Sequence, residues 1–291
     1  MIVPLFSPSE LFHMFPEEEY AIGAFNVHNM EYTQAVIKAA EIEKAPVILM
    51  IGEAMLPFAG LEMLAHICKF AAQNSKVPVA VTLDHGKSLD NIKKSIELGL
   101  SVMFDGSGLS FEKNVELTRS VVEMAHRKGV SVEGELGCIG GSEDGEEARL
   151  SGMTEPKLAA RFVELTGVDA LAVSIGNAHG FYKSKPSLDF ERLAKIKELV
   201  KVPLVMHGGS DLPDEQAKRV IELGMKKFNV GTELKQVYSE TLKQTLNQHP
   251  MPIQPPTVLE PAREAVTTLV RRKIKLFGSE GMAANYMEII N

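Results

Sequence analysis

Tryptophan is absent from the 291 residues, cysteine occurs only at Cys68 and Cys138, and basic residues are outnumbered, 31 against 38 acidic ones. Each scarcity removes a class of protein. Two cysteines give no disulfide framework and agree with a reducing compartment. A formal charge of −7 argues against a broad nucleic-acid surface, although a local positive pocket is compatible with it. No apolar run approaches the roughly 18 residues of a membrane span, and Met1-Ile-Val-Pro-Leu-Phe6 lacks the long apolar stretch of a signal peptide. The expected location is the cytoplasm, with no membrane and no nucleic acid as partner. What is present is apolar material at 45%, enough for a sizeable core, which excludes a disordered or collagen-like chain.

Short β-branched apolar runs alternate with longer segments of helical spacing, the pattern of a parallel sheet. The runs are Ala21 to Val27, Pro46 to Ile51, Val77 to Leu83, Ser101 to Phe104, Val130 to Glu135, Ala170 to Ile175, Pro203 to Met206 and Lys227 to Val230. Helices are predicted over 31–43, 61–74, 89–98, 113–128, 155–165, 189–200 and 214–223, with a last one over 258–273. Ser88 is the expected cap of the third, Gly99 closes it, and Gly129 and Gly224 close later ones. Eight such units make a (β/α)8 TIM barrel, which needs about 250 residues; chain order by itself also allows an open doubly wound sheet. Neither the acidic glycine-rich loop at Gly140 to Glu147 nor the proline-rich connection at His249 to Pro256 separates two cores. Residues 1–291 are therefore read as one barrel domain with a C-terminal helical extension.

In such barrels the chemistry lies at the C-terminal ends of the strands. His28, His85, His179 and His207 follow strands directly, while His13, His66, His126 and His249 fall in helices or loops and are expected to be structural or solvated. One strand-end histidine is usually a satisfied structural residue. Three of them, His85, His179 and His207, at one barrel mouth beside Asp105 and Glu135, point to a metal, because three imidazoles leave an open position on Zn2+. Neighbouring Asp84 and His85 can both reach the cavity only if the third strand has ended there, since neighbours in a strand face opposite ways. The turns His207-Gly-Gly-Ser-Asp211 and Asn229-Val-Gly-Thr232 offer backbone N–H groups, the Ser210 and Thr232 hydroxyls and a helix start to a phosphate.

These segments, with Ala24-Phe-Asn-Val27, Leu83-Asp-His-Gly86, Glu133-Gly-Glu-Leu-Gly137, Gly140-Gly-Ser-Glu-Asp-Gly145 and Ala178-His-Gly180, resemble the class II, metal-dependent ketose-bisphosphate aldolases of the fructose and tagatose type over nearly the whole chain. The resemblance implies a zinc ion on His85, His179 and His207, acting as a Lewis acid on the carbonyl and the enediolate of dihydroxyacetone phosphate. It implies Asp84 as the acid and base at the C4 hydroxyl, and Asn229 as the residue positioning the intermediate. Asn26, Gly180, Gly208, Gly209, Ser210, Gly231 and Thr232 would bind substrate. Asp105 and Glu135 would orient the histidines or hold an alternate metal position. Glu143, after Ser142, matches the loop glutamate that exchanges the C3 proton, with Gly140, Gly141 and Gly145 as hinges. A monovalent cation, a homodimer or homotetramer, and a non-catalytic partner subunit are further family expectations.

Two stretches depart from the family pattern. Met50-Ile-Gly-Glu53 stands where many relatives have Gln-x-Ser, and Pro255-Pro-Thr257 where many have Asp-Pro-Arg, whose arginine grips the phosphate of the aldehyde half. Threonine cannot replace that charge and fork geometry, so Arg263, Arg271 or Arg272 would have to compensate. The expected activity is cleavage of a ketose 1,6-bisphosphate or a related ketose 1-phosphate to dihydroxyacetone phosphate and an aldehyde. Two alternatives stay open: another metal-dependent phosphosugar enzyme on the same barrel, an isomerase or hydrolase, and a non-catalytic phosphosugar-binding subunit.

Overall fold

The computed structural model describes residues 5–14, 19–143, 146–147, 152–182, 186–249, 251, 254–284 and 286, with the backbone alone over 140–143 and 146–147. Eight strands form the sheet: β1 Ile22–Asn26, β2 Val47–Gly52, β3 Val79–Gly86, β4 Ser101–Phe104, β5 Val132–Leu136, β6 Ala170–Val173, β7 Leu204–Met206 and β8 Met225–Val230. Each pairs in parallel with the next in the chain, and β8 returns to β1 with Asn229 beside Ala24, so the sheet is a closed barrel rather than an open one.

Closure sorts side chains by parity. Along β2, Val47, Leu49 and Ile51 face the helices while Ile48 and Met50 face the axis; along β6, Leu171 and Val173 face out while Ala170 and Ala172 face in. Both faces are covered, so the strands read as continuous apolar runs. The helix Pro8–Met14 closes the N-terminal end of the barrel with Leu11 and Phe12, an element the spacing does not announce.

The helices Met30–Glu43, Leu61–Gln73, Leu89–Glu97, Phe111–His126, Pro156–Thr166, Phe190–Leu199 and Asp214–Glu222 follow the expected spans within two residues. Ser88 caps the third of these, its side chain accepting from the Asn91 N–H. Cys68 is buried in its helix, and His13, His66 and His126 bond to Ser9, Glu62 and Asp169 respectively, away from the mouth. Two differences concern the C-terminal part. Thr232–Gln248 is a 17-residue helix whose buried side chains are only Leu234, Tyr238 and Thr245, too few to give the polar segment a helical signature. The last helix runs Pro255–Leu276 rather than 258–273: Pro255, Pro256 and Thr257 form its first turn, where proline lacks no bond that the helix would use. It packs on Met30–Glu43 and Thr232–Gln248, and the Phe277 carbonyl after it accepts from the Ala21 N–H at 2.9 Å, tying it to the start of β1. Among the described residues no single helix is long and apolar enough to cross a membrane.

Candidate active site

Asp84 and His85 both serve the mouth, but not because β3 ends. The strand continues to Gly86, and its register against β4 slips by one residue between Leu83 and Gly86. This bulge puts His85 at φ +50°, a left-handed conformation costing about 1–2 kcal/mol in a residue with a Cβ. The slip corrects the expectation of a terminated strand and removes the parity conflict. Asp84 is 2% exposed; its Oδ2 accepts from Asn26 Nδ2 at 2.9 Å and its Oδ1 from Asn229 Nδ2 at 3.2 Å. Three strands, β1, β3 and β8, thus hold one carboxylate in a fixed orientation.

Beside it, ligand nitrogens of His85, His179 and His207 lie within 4.8 Å of one another. His207 Nδ1 is 3.0 Å from His85 Nε2, and the ring centroids are 4.7 to 5.8 Å apart. The opposite nitrogens are held by carboxylates: His85 Nδ1 by Asp105 Oδ2 at 3.1 Å, His207 Nε2 by Glu133 Oε1 at 2.8 Å. A carboxylate fixes the N–H on the nitrogen it meets, which leaves lone pairs on the two nitrogens that face each other. Imidazoles on a tetrahedral zinc at roughly 2.0–2.1 Å sit about 3.3 Å apart. The observed spacing is close to that, so these residues fit a divalent ion.

The charges around the imidazoles are strongly tuned. Burial would raise Glu133, but the Lys227 ammonium, its Nζ 2.6 Å from Glu133 Oε2, and the His207 bond hold the carboxyl at about 2. Burial would likewise raise Asp105, yet the bond and charge of His85 and the bonds from Ser107 hold it well below the usual carboxylate range. Burial lowers His207, favouring the neutral ligand form over the opposing pull of Glu133. Glu135 goes the other way: burial and the neighbouring Asp105 push its carboxyl well up.

Asp105 thus meets His85 directly, whereas Glu135 makes no such described bond to an imidazole. Glu135 lies in a second group with His85 and Asp105 whose ligand atoms are also within 4.8 Å, and its Oε2 has no hydrogen-bond partner among the described residues. The orienting role at His207 belongs to Glu133, which was absent from the predicted site. Parity could have found it: Glu133 and Glu135 are two apart on one strand and face the same way.

The two glycine-bearing turns after β7 and β8 are stitched together. A Cβ on Gly208, at φ +67°, would lie 2.1 Å from the Ala178 carbonyl, and one on Gly231 would lie 2.5 Å from Asn26 Oδ1. Gly209 N–H donates to the Asn229 carbonyl and Gly231 N–H to Ser210 Oγ, so these two donors are used within the protein. Tyr182, unmarked in the sequence, bridges Ala178 N–H and the Gly208 carbonyl with its hydroxyl, beside Gly180. The Thr232–Gln248 helix opens here; its first internal bond runs from Lys235 to Gly231, which leaves the N–H groups of Thr232, Glu233 and Leu234 without intrahelical acceptors.

Of the loop after β5, Gly140–Glu143 pairs antiparallel with Glu146–Glu147 and parallel with Ala178–His179, Gly141 lying opposite His179. The Glu143 and Ser142 side chains and Gly145 lie outside the described residues. On the last helix, Arg263 donates to Gln34, Arg271 to Glu43 and Arg272 to Glu233. Glu53, at the departure after β2, accepts from Lys87 N–H, Ser88 N–H and Asn91 Nδ2, clamping the loop after β3.

The family model for class II fructose-bisphosphate aldolase matches residues 7–282. The YdjI aldolase of Escherichia coli K12 is 36% identical with a TM-score of 0.85, covering 96% of this chain and 100% of that one. A candidate fructose-1,6-biphosphate aldolase from Coccidioides immitis is 30% identical with a TM-score of 0.89, over 95% of this chain and 98% of that one. The Campylobacter jejuni fructose-bisphosphate aldolase, 23% identical over 96% and 97% of the two chains with a TM-score of 0.81, shares the fold. With a whole-length family match and relatives of this similarity, the chain belongs to the class II fructose-bisphosphate aldolases and is a lyase.

Proposed function

We propose that this aldolase cleaves a ketose 1-phosphate reversibly to dihydroxyacetone phosphate and an aldehyde, using a divalent metal on His85, His179 and His207. The observation that carries the reading is the convergence of the Asp84 carboxylate, held by Asn26 and Asn229, on the same mouth as the three imidazoles. When bound, the ion supplies Lewis-acid polarisation of the ketose carbonyl; zinc suits three nitrogen donors, as do cobalt, nickel and iron.

In cleavage, Asp84 takes the proton of the C4 hydroxyl while the C3–C4 bond breaks, its electron pair passing to C3 and the C4–O bond becoming the aldehyde carbonyl. Asn229, whose buried Oδ1 has no hydrogen-bond partner among the described residues, has an acceptor to offer the hydroxyls of the dihydroxyacetone half. Glu143 returns a proton to C3 to complete dihydroxyacetone phosphate. The C1 phosphate is held at the open end of the Thr232–Gln248 helix, with Gly180, Gly208, Gly209, Ser210, Gly231 and Thr232 around it. Asp105 and Glu135 offer the ion an alternate position, and a monovalent cation would complete the phosphate side.

The engagement of Arg263, Arg271 and Arg272 with Gln34, Glu43 and Glu233 favours an aldehyde half without phosphate over a 1,6-bisphosphate. Release of dihydroxyacetone phosphate from fructose bisphosphate, tagatose bisphosphate and a series of ketose 1-phosphates tests both levels. Faster turnover of the monophosphates is expected, lost on chelation and restored by Zn2+. Equal or better turnover of fructose bisphosphate refutes the acceptor assignment, and activity surviving complete metal removal refutes the metal. We further propose a homodimer or homotetramer in solution, which sedimentation tests, with a non-catalytic subunit as a candidate partner.

A further inference from the structure

Lys227 is one of the most deeply buried charges in the molecule. It lies on β8 at 1% exposure, two residues before Asn229 and pointing into the barrel, and its Nζ reaches Glu133 Oε2 on β5 at 2.6 Å. Its register neighbours are apolar, Ile22 on β1 and Val205 on β7, and the axial cluster adds Ile48, Met50 and four alanines, Ala24, Ala80, Ala170 and Ala172. An ion pair is an expensive way to fill such a space: each desolvated charge costs several kcal/mol, and apolar side chains of matched volume are often as stabilising or more so. Nothing in packing alone calls for a lysine here.

The other end of Glu133 supplies the reason. Its Oε1 meets His207 Nε2 at 2.8 Å, and His207 turns the remaining nitrogen, Nδ1, toward His85 Nε2. A carboxylate bonded at one oxygen only is free to rotate about its last torsion and to offer either oxygen. With Oε2 taken by Lys227, a single oxygen in a single orientation is left for the imidazole. We infer that Lys227 is a positioning residue for the metal centre: through Glu133 it fixes the tautomer and the ring plane of His207, so that Nδ1 is presented as a ligand. The chain runs β8 to β5 to β7, across the inside of the barrel, and contains no group that touches substrate.

This inference rests on the three imidazoles holding a metal, and the experiment separates the two. Affinity for Co2+ and Zn2+ is measured on the full-length protein by competition with a chromophoric chelator, together with the visible absorption of the Co2+ form and melting of the metal-free form. The variants are Lys227→Met, Glu133→Gln and the pair together. Loss of a partner behind a ligating histidine typically weakens metal binding about 10–100-fold. Each single change should do so and shift the Co2+ bands, and the double variant should bind no more weakly than Glu133→Gln alone, because Lys227 acts only through Glu133. Should Lys227→Met fail to fold, the comparison of the double variant, which buries no uncompensated charge, with Glu133→Gln carries the test.

Metal affinity and Co2+ spectrum unchanged in Lys227→Met, with only the metal-free melting lowered, would make the lysine purely structural and overturn the inference. Losses that multiply in the double variant would overturn it as well. Failure of the unaltered protein to bind either ion would instead refute the metal site itself.

Discussion

Two ion pairs of almost equal length have opposite characters in this molecule. Lys227 and Glu133 meet at 2.6 Å inside the barrel, with side chains 1% and 9% exposed; Lys38 and Glu264 meet at 2.7 Å on the outer helices, 48% and 42% exposed. Distance is not what separates them. The outer pair sits in water, where attraction is screened and two long side chains lose freedom to hold one geometry. The inner pair has no water to fall back on, so removing one partner strands the other. The same contrast separates the inside of the barrel from its outer layer: inside, buried carboxylates meet imidazoles, while on the last helix Arg263, Arg271 and Arg272 turn to partners on neighbouring helices.

The comparison breaks first, and hardest, at Asp84. Asp84→Ala should lower cleavage by about 10²–10⁴-fold, the usual worth of a positioned acid and base. Metal content measured on the same preparation should stay at the level of the unaltered protein; loss of metal with activity would mean that Asp84 is a ligand instead. Next comes the inner pair itself. Glu133→Ala should destabilise the protein by about 3–5 kcal/mol in denaturant titrations, whereas Lys38→Ala should cost less than about 1 kcal/mol. Similar costs for the two would erase the distinction drawn between them.

A subtler effect belongs to Glu135, whose carboxyl is pushed well up by burial and by Asp105. Its folded form holds a proton that the unfolded chain releases above about pH 4.3, so its contribution to stability is complete below that pH and declines as pH rises toward the folded value. Glu135→Gln should therefore melt higher than the unaltered metal-free protein at pH 7.5, by a few degrees at roughly 2–4 °C per kcal/mol, and at the same temperature as the unaltered protein at pH 4. A gain of the same size at both pH values would show that the carboxyl is already ionised. The smallest effect is expected at Arg272, 61% exposed and 3.4 Å from Glu233: Arg272→Ala should change melting by less than about 1 kcal/mol and leave cleavage untouched.

Much of this was open to a reader of the sequence. The eight strands lie within three residues of their predicted places, because buried parallel strands are short, β-branched and bounded by helices with glycine after their ends. The three histidines were visible because each follows such a run. Other features carried no local mark. The Thr232–Gln248 helix buries too few apolar residues to show a period, and Pro255 and Pro256 look like loop while serving as a first turn. The bulge that turns both Asp84 and His85 to the cavity is a slip of register between two strands, which no residue type announces.

The sequence by itself determined the alternation of strand and helix, and through parity the small set of polar groups able to face the axis, among them Asn26, Asp84, Glu133, Glu135, Lys227 and Asn229. That follows from backbone geometry, since a strand presents every second residue to one side whatever it packs against. Only the tertiary structure decided which of those groups meet. Asn26 and Asp84 are 58 residues apart, Glu133 and His207 74, Glu133 and Lys227 94, and Asp84 and Asn229 145. Their pairing depends on the register of eight strands around a closed ring, set by the packing of the whole core and by bulges. A carboxylate two residues from the expected one therefore came to hold the imidazole.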